Sequence, residues 1–161
     1  MRFGLLFSML LLVHMRAAAP HQSDAHTIDP ANMTYTIEVR APSEGGETDC
    51  KIISQFTGSA WDSLWQELGV REEKWLDWQN AVQAAQQDIP VLPDFPQISK
   101  LAYIDEGTVH FQASELRDEC VRMSSLLGRE ETQQIIRALL QASDSALQNN
   151  NADVVVHPYP A

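Results

Sequence analysis

The sequence predicts an α+β fold: a small, mostly antiparallel sheet with two helix pairs packed on one face, in the order β-β-α-α-β-β-α-α-β. Three observations carry this expectation. Short segments rich in β-formers alternate apolar and polar residues with a period of two. Longer segments repeat apolar residues at the three-to-four spacing of an amphipathic helix. Strand-like and helix-like segments come in pairs rather than in strict alternation, which favours antiparallel strand neighbours over a parallel βαβ sheet.

The first strand is expected at TYTIEVR, where Tyr35, Ile37 and Val39 point one way. Pro42 and the Gly45–Gly46 pair make the next stretch a loop. CKIISQF then reads as the second strand of a wide hairpin. In TGSAWDSLWQELG, Ser59 is the expected N-cap and Gly69 the stop. Trp61, Leu64, Trp65 and Leu68 share one helix face. The following helix opens on Glu72 and Glu73, which suit a helix N-terminus. Its stripe runs through Trp75, Trp78, Val82, Ala85 and Ile89, and Pro90 and Pro93 end it.

The segment VLPDFPQISK, with Pro93 and Pro96 flanking Phe95, reads as a surface connector. KLAYIDEGTVHF reads as a hairpin turning at Asp105, Glu106 and Gly107. A third helix is expected from a Ser114 cap to Gly128, with Leu116, Cys120, Met123 and Leu127 buried. The fourth, REETQQIIRALLQASDSALQ, carries a double stripe: Ile135, Leu139, Ala142 and Ala146 beside Ile136, Leu140, Ser143 and Leu147. A short strand, Val154 to His157, closes the order before Pro158.

The division along the chain is a leader, residues 1–32, and a single domain, residues 33–161. The leader supports two main readings, with a retained N-terminal anchor as a third. FGLLFSMLLLV after Arg2 has the length of a signal-peptide core, which places the protein outside the cytoplasm. Met33 standing immediately before the first strand supports an over-extended start and a cytoplasmic protein instead. The leader decides the state of the two cysteines: Cys50 and Cys120 form a disulfide in an oxidising compartment and stay reduced in the cytosol. No run of about 20 apolar residues occurs, so no stable membrane span is expected.

The net charge is −11. All the acidic residues except Asp24 and Asp29, and all the basic ones except Arg2 and Arg16, follow Met33, so the whole imbalance belongs to the domain. A field of that sign disfavours nucleic acid and anionic membranes, and it suits a basic protein.

Each chemical motif is weighed against plain structure. Trp61, Trp65, Trp75 and Trp78 form either a binding surface or packing between two helices. Phe95 between prolines is either a contact point or a side chain laid on the core. Asp105 and Glu106 are a surface carboxylate pair in a turn. Cys120 follows Asp118 and Glu119 and Cys50 follows Asp49, and adjacent carboxylates raise a thiol rather than activate it. No metal-ligand spacing, glycine-rich phosphate loop or nucleophile elbow occurs, so no metal or cofactor is expected and no catalytic residue is assigned. An enzyme would need His110, His157 and a carboxylate to converge.

The sequence therefore leans towards a small acidic, non-enzymatic protein-binding module, of the kind that inhibits or neutralises a basic partner, as an immunity protein does. Its binding residues are expected among Trp61, Trp65, Trp75, Trp78, Phe95, Asp105 and Glu106. The alternatives are an exported protein built on a Cys50–Cys120 disulfide and an enzyme of unassigned chemistry.

Overall fold

A computed structural model describes residues 32–149 and 152–159. Residues 1–31, including the apolar stretch FGLLFSMLLLV, lie outside the described residues. Strand β1 (Thr34–Pro42) pairs antiparallel with β2 (Thr48–Thr57) on one side and β4 (Asp153–Tyr159) on the other. The short β3 (Val109–Phe111) completes the sheet, in the order β2-β1-β4-β3. The expected α+β architecture is present.

Alternation along β1 sends Tyr35, Ile37 and Val39 into the core with Val154 and Val156 of β4. The register slips between Ile37 and Glu38, where Ile53 is the extra residue of a bulge on β2. Pro158 sits inside β4 opposite Tyr35. It is tolerated because β3 pairs only as far as Val156, so that end of β4 is an edge.

Helix α1 (Gly58–Glu67) leads into α2 (Glu72–Ala85), and α4 (Ala113–Ser124) leads into α5 (Glu130–Gln148). The stripe on α5 is wide but narrower than expected along its second line, where Leu140 is half-buried and Leu147 is exposed. Ile135, Ile136, Leu139, Ala142, Ser143 and Ala146 are all buried, and the helix packs across β1, β2 and β4. Leu116, Cys120, Met123 and Leu127 are buried as well.

The largest departure lies between α2 and α4. The expected first strand of the second hairpin is absent. In its place a short helix α3 (Pro96–Ser99) runs into a 3-10 helix, Lys100–Glu106. Ile98, Leu101 and Ile104 are fully buried and recur every third residue, the period of a 3-10 turn. Pro96 stands at the first helical position, where its missing N–H costs nothing. Asp105 and Glu106 therefore end a helix instead of turning a hairpin, and Gly107 at φ 143° redirects the chain into β3.

Helix ends differ too. Thr57, not Ser59, caps α1, its hydroxyl accepting the Ala60 N–H at 3.2 Å. Gln86, in the left-handed region at φ 53°, stops α2 well before Pro90, so Ile89 lies outside the helix. Ser114 falls inside α4, and that helix ends at Ser124, short of Gly128. Gly128 instead donates its N–H to Glu67 at the end of α1, as do the Arg129 N–H and the Thr132 hydroxyl. One carboxylate thus satisfies the N-terminus of α5 from across the fold.

The Cys50–Cys120 disulfide expected for an oxidising compartment is not present in this structure. Both thiols are free: Cys120 is fully buried on α4, and Cys50 is exposed on the edge strand β2. The helical stripe that buries Cys120 is what removes it from reach of a surface residue.

Candidate functional site

The four tryptophans form one aromatic row. Trp61 and Trp65 stand one turn apart on α1, and Trp75 and Trp78 lie one turn apart on α2. Their ring centroids follow one another at 5.0–5.9 Å: Trp65 and Trp61 each meet Trp75, and Trp75 meets Trp78. Tyr103 of the 3-10 helix extends the row at 5.5 Å from Trp78. Two indoles are tied to backbone: Trp61 donates to the Leu101 carbonyl at 2.9 Å and Trp78 to that of Ile89 at 2.6 Å. Trp65 is 4% exposed, yet its Nε1–H has no acceptor. The other three are half-buried. The row packs between the two helices and leaves part of Trp61, Trp75 and Trp78 exposed.

A cavity of about 380 Å³ opens between α1 and α2. Trp61, Trp65 and Trp75 supply its aromatic walls, Val70 and Leu76 its aliphatic ones, and Asp62 and Glu72 stand among its polar residues. The volume falls within the range of small-ligand sites. Helical spacing sets the arrangement. Asp62 and Trp65 are three apart on α1, as are Glu72 and Trp75 on α2, so each carboxylate shares a face with an indole.

The 3-10 helix adds charge to this end. Tyr35 donates its hydroxyl to Asp105, and the Tyr35 hydroxyl is pushed up by burial first and by Asp105 second. Burial, followed by the Asp105 charge, raises the Asp62 carboxyl. Glu106 and Asp88 face Tyr103, whose hydroxyl is raised by burial first. Among the described residues, none of Asp62, Glu72, Asp105 and Glu106 is in an ion pair. These carboxylates therefore stand near the aromatic row without a close ion-pair partner among the described residues.

No protein-family model matches the chain, and no curated protein or solved structure matches it either. The site is read from its own chemistry.

Phe95 is not part of this cavity. It is half-buried against the core, with the Arg122 guanidinium 4.9 Å above its ring and an Arg122 hydrogen bond to the Asp94 carbonyl. His110 and His157 lie on neighbouring strands but engage different carboxylates. His157 Nε2 is 2.8 Å from Glu38, whereas His110 Nδ1 is 3.8 Å from Asp153 at the surface. The convergence that catalysis would need is not present among these residues. Burial, then the adjacent Glu119 charge, pushes the Cys120 thiol up to about 12, which leaves it protonated and unreactive at neutral pH.

From the sequence, Asp62 and Glu72 read only as helix-end carboxylates and not as site residues, and the unpartnered Trp65 N–H was not read at all. The first two carried a readable signal, since each sits three residues from a tryptophan on the same helix face. The third depends on tertiary packing and had none.

Proposed function

We propose that this chain is a non-enzymatic binding module that takes a basic protein on the end formed by α1, α2 and the 3-10 helix. The observation that carries the reading is the pairing of a half-exposed aromatic row with uncompensated carboxylates at one place. Aromatic side chains supply contact area at little entropic cost. Carboxylates around them steer a cationic partner and discourage an anionic one. The net charge of −11 extends the same preference over the molecule. Such a module acts by covering the basic surface of its partner, which is how a small inhibitor or neutraliser works.

The test is capture followed by reconstitution. Immobilised full-length protein is exposed to lysate at low salt, and a captured basic protein is purified and mixed back. A stoichiometric complex is expected that loosens with salt and is lost when Asp62 and Asp105 are both changed to Lys. A complex indifferent to salt and to that reversal would remove the reading.

A further inference from the structure

The three indoles around the cavity are arranged as walls rather than as a stack. Trp61 meets Trp65 at 83° and Trp75 at 82°, and Trp65 meets Trp75 at 60°, with every centroid pair within 6 Å. Three mutually inclined rings make an aromatic corner. The face of an indole carries negative quadrupole potential, so such a corner attracts an organic cation more than a neutral group of the same shape. Asp62 on α1 and Glu72 on α2 stand around the same space, one from each helix. Neither has a cationic partner among the described residues.

We propose that this cavity receives one arginine or lysine side chain of a protein partner, the cation lying against the open side of the Trp61–Trp65–Trp75 cluster and beside the Asp62 and Glu72 carboxylates. The inference deepens the proposed function and rests on its choice of a basic protein. One further observation bears on the occupant. Asp62 is held above its ordinary value by burial and then by Asp105, so a positive charge at its side relieves a strained anion.

The decisive experiment titrates full-length protein, labelled with nitrogen-15, with N-acetyl-arginine amide. N-acetyl-lysine amide and the uncharged N-acetyl-citrulline amide are run at the same ionic strength. The indole N–H resonances report directly on the site. Saturable movement of the Trp65, Trp61 and Trp75 signals is expected with the arginine and lysine compounds. The affinity is millimolar, as a single side chain gives, and about tenfold weaker with citrulline amide. The double change Asp62→Asn with Glu72→Gln is expected to weaken arginine amide about fivefold while leaving the thermal midpoint in place. Equal binding of citrulline amide would make the cavity a neutral-ligand pocket and overturn the proposal. Absence of any movement would overturn it too. If the small cations fail while a basic protein still binds and tolerates the double change, only this inference falls. If the cations bind and no basic protein does, the proposed function falls and the cation site stands.

Discussion

His157 Nε2 lies 2.8 Å from Oε1 of Glu38, joining the last strand to the first across 119 residues of chain. The pair is buried, on the face of β1 opposite the Tyr35–Ile37–Val39 core. Arg40 donates to the other Glu38 oxygen at 2.9 Å, and the His157 Nδ1 atom faces the Pro158 carbonyl at 3.0 Å. Burial on its own raises the Glu38 carboxyl. The hydrogen bonds from His157 and Arg40, and their charges, outweigh it, and the carboxyl ends below its ordinary value of 4.5. Its proton is therefore bound less readily in the folded chain than in the unfolded one.

The sign of the pH effect follows. A depressed carboxyl stabilises fully above its unfolded value and loses that contribution as pH falls through the folded value. Glu38→Gln is expected to cost about 1–3 kcal/mol at neutral pH, because it weakens a charge-assisted pair in a buried place. The gap between variant and parent should narrow below about pH 4. Urea unfolding at neutral and acidic pH measures it. A gap of constant size would show that Glu38 contributes by shape alone.

A second carboxylate holds the segment that the sequence misread. Glu119 of α4 is 3% exposed and accepts the backbone N–H groups of Gln97 at 3.0 Å and Ile98 at 2.8 Å. Burial raises its carboxyl, and the two backbone bonds pull it part of the way back. Gln97 adds bonds to Glu115 and to the Gln112 N–H. Glu119→Ala leaves two buried donors without acceptors and is expected to cost about 3 kcal/mol. Glu119→Gln, which keeps one acceptor, should cost less. Chemical denaturation of both variants decides; equal losses would mean that Glu119 acts by filling space.

This region also shows what was legible in the sequence and what was not. The α5 stripe announced itself because helix period, length and composition agree over many residues. The segment Ile98–Ile104 is too short for period to separate strand from 3-10 turn, and its helical state depends on Glu119, a residue 21 positions away. No local pattern records that contact. At the site, the tryptophans were visible as residue types at helical spacing. Their meeting across α1 and α2 was implied by two adjacent amphipathic helices; Asp105 was visible as a surface carboxylate, but its bond to Tyr35 was not, because the segment reads as a hairpin turn. The placement of the two thiols was legible only in part for a related reason. The stripe that buries Cys120 was read correctly, but its consequence for pairing depends on where Cys50 lies in the sheet.

Helix α2 is the least secured element. It has 14 residues and none of them is buried. Trp75 and Trp78 pack against the core, and the Trp78 bond to Ile89 ties the helix to the segment beyond it. An element with so few buried apolar contacts opens locally at low cost. Amide exchange across α2 is expected to run orders of magnitude faster than in α5, and Trp75→Ala should accelerate it further while α5 stays protected. Equal protection of the two helices would contradict this account.

The two thiols should separate cleanly by reactivity. Cys50 is exposed on β2, with its sulfur 3.8 Å from the Thr48 carbonyl, while Cys120 is enclosed and its thiol is pushed up to about 12 by burial and Glu119. A thiolate is the species that alkylates, so a buried thiol with a raised value reacts only when the chain opens. Native protein kept without reductant is expected to take up one equivalent of iodoacetamide, at Cys50, and a second only in denaturant. The Cys50→Ser variant should take up none while folded. Uptake of no label by the native parent, reversed by reductant, would mean that the thiols are oxidised after all. Rapid uptake of two equivalents would mean that α4 leaves Cys120 open to solvent.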